Sequence, residues 1–185
     1  MANKIKYGIR SVYYAVATAG TAGALTYSTP VAMPGAVSLS LAAEGESNPF
    51  YADDVIYFQS ASNNGYSGTL ELALIPDSFR TAVLCETTSN GNAVYVEHVN
   101  QTPKEFALLF EFQGDEKATR HAMFRCTCSR PDVAGSTKEA GIEPQTETLN
   151  ITAMPRINDY VVKASCPYST GTTYSSWFTA VVTVS

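Results

Sequence analysis

Over much of the chain the hydrophobic positions recur with a period of two. Val37, Leu39 and Leu41 alternate with Ser38 and Ser40, which predicts a strand with one apolar and one polar face. Glu44-Gly45-Glu46-Ser47-Asn48-Pro49 reads as a turn, and Val55-Ile56-Tyr57-Phe58 as a strand rich in β-branched and aromatic residues. After the tight-turn signal Asn63-Asn64-Gly65, residues 66–75 set Leu70, Leu72 and Leu74 against Thr69, Glu71 and Ala73. Residues 76–84 then predict a short helix. Pro76 suits its first turn, Asp77 sits near the positive end of its dipole, and Phe79, Val83 and Leu84 share a face.

Asn90-Gly91 marks another turn before a strand from Val94 to Val99. Phe106, Leu108, Phe110 and Phe112 alternate along the next strand, Gly114-Asp115-Glu116-Lys117 turns the chain, and residues 118–129 return as an antiparallel partner. Residues 130–145 form a polar loop, and a loop of that length inside a compact domain is functional or disordered. Strands follow over 146–153, 160–164 and 177–184. About eight strands and one short helix predict a mainly β fold, an antiparallel sandwich or barrel with a flanking helix. Residues 1–30 read as separate from it: an extended N-terminal arm over 1–16, then a linker rich in Ala, Gly, Thr and Ser that closes at Thr29-Pro30. One domain over 31–185 is the expectation.

Composition narrows the function. With 185 residues, 45% of them hydrophobic, the chain can build one core, which excludes disorder of the whole chain. Lys plus Arg is 12 against 17 for Asp plus Glu, a formal charge of −5, and the cations are scattered. Tight duplex binding needs grouped Lys and Arg, and no such stripe exists. Gly, Ser, Thr or Pro interrupts every apolar run before it could span a bilayer as a helix. Lys4, Lys6 and Arg10 before the stretch Val12 to Ala17, followed by Ala17-Thr18-Ala19, imitate a secretory signal; the shortness of that stretch and its Tyr13 and Tyr14 favour the arm.

Groups that carry catalysis are sparse. Cys126-Thr-Cys128 places two sulfurs on one strand face, a spacing that matches neither a zinc pair nor a redox motif, and with Cys85 and Cys166 it reads as reduced, mostly buried thiols. His98 and His121 would need a carboxylate brought to them to hold a metal. No nucleophile elbow, phosphate loop or zincin motif occurs. Asp53-Asp54, taken as strand positions, point to opposite faces and cannot converge on a substrate. Asn100-Gln101-Thr102 and Asn150-Ile151-Thr152 fit glycosylation sequons, which are expected to be chance matches without a secretory signal. The expectation is therefore a non-enzyme with no cofactor and no metal. Its arm, linker and long loop make sense where a neighbouring subunit supplies contacts.

Several segments together resemble the major tail protein family of long-tailed bacteriophages of Gram-positive hosts. They are Lys6-Tyr7-Gly8-Ile9-Arg10, Tyr13-Tyr14-Ala15, the run Thr29 to Leu41, Glu44-Gly45-Glu46, Phe50-Tyr51-Ala52-Asp53-Asp54, Gly65-Tyr66-Ser67-Gly68 and Ala73-Leu74-Ile75-Pro76-Asp77. Phe106 to Phe112, Arg120-His121, Ser136-Thr137-Lys138-Glu139, Ile142-Glu143-Pro144 and Ile151-Thr152-Ala153 complete the set. The sequence departs from the pattern at Cys85, where the family has Gly, and over Trp177 to Ser185.

The resemblance implies a virion protein: hexameric rings stack into the tail tube, and one sheet of a β-sandwich joins its neighbours to line the lumen. Its implied partners are further copies of itself, the tape-measure protein, and the tail terminator and distal tail proteins; DNA passes without specific binding, and no membrane is involved. A lumen that carries part of the chain's negative charge would repel phosphate over a Debye length of about 8 Å. Candidate lumen-facing acids are Glu44, Glu46, Asp53, Asp54, Glu71 and Glu111. The segments expected to cross between subunits or rings are 1–16, 44–54 and 130–145, with Lys6, Tyr7, Arg10, Tyr13, Tyr14, Phe50, Tyr51, Arg130, Lys138, Glu139 and Glu143 as candidate contacts. The alternative of another class is a secreted bacterial β-sandwich adhesin or pilin-like module, which requires cleavage near Ala19.

Overall fold

The computed structural model describes residues 5–89, 91, 94–137 and 144–184. In chain order the strands are β1 (Ile9–Ala19), β2 (Leu25–Tyr27), β3 (Val31–Ala32), β4 (Ala36–Glu44), β5 (Ser47–Ala52), β6 (Val55–Ala61) and β7 (Gly65–Leu72). They continue as β8 (Thr87–Ser89), β9 (Val94–Val96), β10 (Phe106–Phe112), β11 (Arg120–Cys128), β12 (Glu147–Ala153) and β13 (Lys163–Cys166); the helices are α1 (Asp77–Ala82) and α2 (Thr172–Ser175). The fold is mainly β, as expected.

One large antiparallel sheet runs in the order β2-β1-β10-β11-β12-β7-β4, with β3 added on β1 and β13 on β11. The two halves of β11 take different partners along one edge. Arg120 to Met123 pair with β13, and Cys126 to Cys128 pair with β12. Although β4 ends the strand order, it lies against β1, so the sheet curls around one core. Inside the curl, Val12 and Tyr14 of β1, Leu70 and Leu72 of β7, Phe106, Leu108 and Phe110 of β10, and Leu149 and Ile151 of β12 form one core. Helix α1 plugs it with Phe79 and Val83, both fully buried; Phe79 meets Tyr14 and Phe106 edge-on at 5.0 and 5.4 Å. Each such side chain contributes about 1.5–3 kcal/mol by leaving water.

Strand β10 is apolar at nearly every position because both its faces are covered. Leu109, with Ala122 and Phe124 of β11, faces away from the main core and lies beneath Trp177, Phe178, Val181 and Val182. The C-terminal segment thus acts as an outer layer. Trp177 Nε1 donates to the His121 carbonyl at 3.3 Å, and the Arg120 guanidinium packs on the rings of Tyr174 and Phe178 while donating to the Tyr174 carbonyl.

Four expectations are corrected. Residues 1–30 are not an arm and linker outside the domain, because β1 pairs with β10 over most of its length and buries Val12, Tyr14 and Ala15. Residues 177–184 are not a strand: the segment follows α2 as a turn and an extended stretch, and packs by its side chains on Leu109, Ala122 and Phe124, the outward face of β10 and β11. Residues 47–49 belong to β5 rather than to a turn, and the turn falls instead at Asp53-Asp54, whose φ values of 52° and 61° suit a two-residue hairpin connection. The strand expected over 160–164 is β13, at Lys163–Cys166.

Candidate functional site

Strands β4, β7 and β12 form a run of sheet whose inner face reads Leu39-Leu70-Leu149 across the strands. Because side chains alternate, the outer face of the same strands is set by the intervening residues. Its rows are Ser38-Glu71-Thr148, Ser40-Thr69-Asn150 and Ala42-Ser67-Thr152, with Glu44 at the end beyond Ser67. Neither Lys nor Arg occurs in any of the three strands. The face is thus small, hydroxyl-rich and uncharged except for Glu44 and Glu71.

Both carboxylates are held by hydroxyl donors. Thr146 Oγ1 donates to Glu71 Oε1 at 2.6 Å and Ser38 Oγ to Glu71 Oε2 at 2.8 Å; these two bonds, Thr146 first, hold the Glu71 carboxyl below its ordinary value. Ser67 donates to Glu44. The bonds from Thr146 and Ser38 keep the Glu71 carboxylate ionised at lower pH than a free one. The strands approach closely because Gly68 and Gly65 lack a Cβ that would strike the Ser40 and Ala153 carbonyls.

The β4–β7 pair continues past this face as the β5–β6 hairpin. At the junction the Glu46 N–H donates to Ser62 Oγ and the Ser62 N–H to the Glu46 carbonyl, each at 2.9 Å, and the Asn64 N–H donates to the Glu44 carbonyl at 2.8 Å. Beyond it, Phe50, Tyr51, Val55, Ile56, Tyr57 and Phe58 are all exposed.

Of the expected acidic residues, Glu71 and Glu44 lie on one face at opposite ends of the β4–β7 pair, Glu46 lies exposed at the junction, and Asp53 and Asp54 form the hairpin tip. Asp53 and Asp54 are turn residues, so their reading as strand positions is corrected. Glu111 departs from the expectation of an open acid. It is 6% exposed, paired with Arg10 at 3.0 Å and Arg120 at 3.3 Å, and accepts a 2.8 Å bond from Ser11 Oγ. Such a neutralised, buried carboxylate presents no free charge.

Of the expected contact residues, Phe50 and Tyr51 stand free on the hairpin and Tyr7 is exposed near the N-terminus. Tyr14 is corrected: it is buried in the core and unavailable to a neighbour. Tyr13 stacks on Phe178 at 4.8 Å, Lys6 sits 4.7 Å over the Phe112 ring, Arg10 is held by Glu111, and Arg130 pairs with Glu97. Lys138, Glu139 and Glu143 lie outside the described residues. The exposure of Val55 to Phe58 is what the sequence reading missed, since an apolar β-branched run ordinarily signals burial.

Cys126 and Cys128 both join the core, as their spacing implied, and all four cysteines are free. Burial pushes the Cys128 thiol up to about 12 and the Cys126 thiol up as well. Among the described residues no group of three His, Cys, Asp or Glu could hold a metal ion, and no helix is long and apolar enough to cross a membrane. No protein-family model matches this chain, and neither does any curated protein.

Proposed function

We propose that this protein is a structural subunit of a phage tail tube, that its hexameric rings stack, and that the outer face of β4, β7 and β12 lines the channel through which DNA passes. The observation that carries the reading is the composition of that face: three adjacent strands without a single cation, two carboxylates that accept bonds from Ser and Thr hydroxyls, and otherwise only small neutral groups. Lys or Arg there would gain affinity for DNA by counterion release. Carboxylates at the wall repel the phosphates instead, and short hydroxyl side chains leave the bore smooth.

Cys85 adds support. It stands where the family pattern has Gly, and its φ of 62° is the left-handed conformation that glycine adopts without strain. In this reading the partners are further copies of the chain, the tape-measure protein, and the terminator and distal tail proteins, and the protein resides in the virion after synthesis in the host cytoplasm.

Electron microscopy of the purified protein at high concentration tests the proposal, with stacked rings around an open channel as the expected result. A second measurement addresses the wall. Glu44→Lys with Glu71→Lys should leave tube formation intact and make the tubes retain duplex DNA at low salt, with retention lost as salt rises. Channel-free particles, or tubes whose DNA retention ignores both substitutions, would overturn the assignment of this face.

A further inference from the structure

The segment just before β1 is fastened to the turn between β10 and β11. The Tyr7 N–H donates to the Gln113 carbonyl at 2.9 Å, and the Gln113 N–H donates to the Gly8 carbonyl at 2.7 Å. Tyr7 lays its ring against Gly114 so closely that no Cβ would fit there. Lys6 holds its ammonium 4.7 Å over the Phe112 ring, an attraction of cation for aromatic face. The same Phe112 ring meets His121 edge-on at 5.6 Å, and His121 stacks on Phe110 at 5.2 Å. Lys6 and the half-buried His121 thus share one aromatic neighbour, and the charge on His121 bears directly on how well Lys6 is held.

An open cavity of about 500 Å³ lies between Lys6 and His121 and gives protons a path to the imidazole. The charged groups that line it are Lys6 from the N-terminal segment and Asp115, Glu116 and Lys117 from the turn. Lys163 acts on His121 from β13, which pairs with β11 at Ser165 and His121. Asp115 is committed to the turn, where its two oxygens accept the Lys117 N–H at 3.1 Å and the Thr119 N–H at 2.9 Å. Glu111 and Arg120, the charged neighbours along β10 and β11, pair with each other on the opposite face of the sheet. Burial first, then Lys6, holds His121 below its ordinary 6.5; Lys163 adds to this and Asp115 opposes it.

We propose that residues 5–8 form an acid-released latch, pinned to the β10–β11 turn while His121 is neutral and freed when protonation sets a further cation beside Lys6 and Lys163. Lifting the segment removes Lys6 and wets the imidazole, so the open form binds a proton more readily than the closed one. The closed form keeps its full advantage above the ordinary value of 6.5 and loses it as pH falls from there through the lowered value. Opening is favoured about tenfold for each pH unit that separates the two values. The latch works within one chain and does not depend on the tube reading.

The test follows the full chain by NMR on either side of the His121 titration. Exchange of the Tyr7 and Gln113 amides, corrected for the intrinsic pH dependence of exchange, reports the latch, and the amides of β12 report the core. Going from pH 7.5 to 5.0 should lower protection at Tyr7 and Gln113 about three- to tenfold and leave β12 unchanged. His121→Phe keeps a stacked ring and removes the proton site, so protection should stay equal at both pH values. Lys6→Met, a change at an exposed position, should move the His121 titration, followed through its imidazole protons, toward that of the exposed His98; it tests the latch even where His121→Phe fails to fold. Equal protection in the wild type at both pH values overturns the proposal, as does an acid loss of protection that persists in His121→Phe. A His121 titration that Lys6→Met leaves in place overturns it as well.

Discussion

Gly68 of β7 faces β4 so closely that a Cβ placed on it would lie 1.8 Å from the carbonyl oxygen of Ser40. The obstacle is backbone and cannot swing aside. Gly68→Val should therefore force β4 away from β7 and destabilise the fold by more than about 2 kcal/mol, measured by urea unfolding. Gly135→Ala is the matched control, since nothing lies within 4 Å of its position, and should change stability by less than about 0.5 kcal/mol.

Glu111 ties the first strand to the C-terminal layer, because its two carboxylate oxygens engage Arg10 of β1 and Arg120 of β11, and Arg120 carries the rings of Tyr174 and Phe178. Removing Glu111 returns the half-exposed Arg10 to water and leaves Arg120 without its carboxylate. Glu111→Ala should cost about 1–3 kcal/mol in stability. It should also loosen the C-terminal cover, seen as a red shift of Trp177 emission under native conditions.

The buried thiols make stability depend on alkaline pH. Burial raises the folded values of Cys126 and Cys128 above the ordinary 9.0. Below pH 9 both states keep these protons and the two groups leave stability unchanged. As pH rises from 9 toward 12, the unfolded chain releases protons that the folded one retains, so stability falls. Unfolding midpoints at pH 8, 9.5 and 10.5 should decline, and Cys126→Ala with Cys128→Ala should flatten the decline. Thiol reagents at pH 8 should label Cys126 and Cys128 only after denaturant is added.

Cys85 holds a left-handed backbone at φ 62°. That conformation costs a residue with a Cβ about 1–2 kcal/mol, part of which a glycine returns through the greater freedom of the unfolded chain. Cys85→Gly should be neutral or stabilising by up to about 1 kcal/mol, whereas Cys85→Val should be clearly destabilising; differential scanning calorimetry of the two separates them.

Glu71 owes its lowered titration to Thr146 and Ser38. A depressed carboxyl contributes stability above its unfolded value and loses that contribution as pH falls through the folded value. Ser38→Ala with Thr146→Ala should return the Glu71 titration, followed by carboxyl NMR, toward an ordinary glutamate.

Much of the fold was legible where one face of a strand meets water. The alternation of Val37 to Leu41, Leu70 to Leu72 and Leu149 to Ile151 marks β4, β7 and β12, and the same alternation put Glu71 on the polar side. It failed where both faces are covered. Tyr14 points into the core while Tyr13 lies under Phe178, so β1 has no clean period and reads as an arm. The valines near the C-terminus suggested a strand, but whether an edge remains free to receive it depends on the whole sheet order. Pro49 and the polar run before it hid β5, whose partner residues lie in β6. Helix α2, Thr-Thr-Tyr-Ser, has weak helix formers and rests on the ring of Tyr174 packed against Arg120. Nothing local distinguishes an apolar run that is buried within the chain from one, such as Val55 to Phe58, that stays exposed.

The ribbon of β4–β5 and β6–β7 is anchored by leucines at one end and carries Phe50 and Phe58 in the open at the other. Mechanically it is a cantilever. A load applied at the tip is resisted at the Gly45–Ser62 crossing, where the backbones nearly touch, and passes along the same two strands to Ser38 and Glu71. A force on the hairpin is therefore delivered straight to the hydroxyl-lined outer face of β4 and β7, and the stiffness of that crossing sets how much this face deforms.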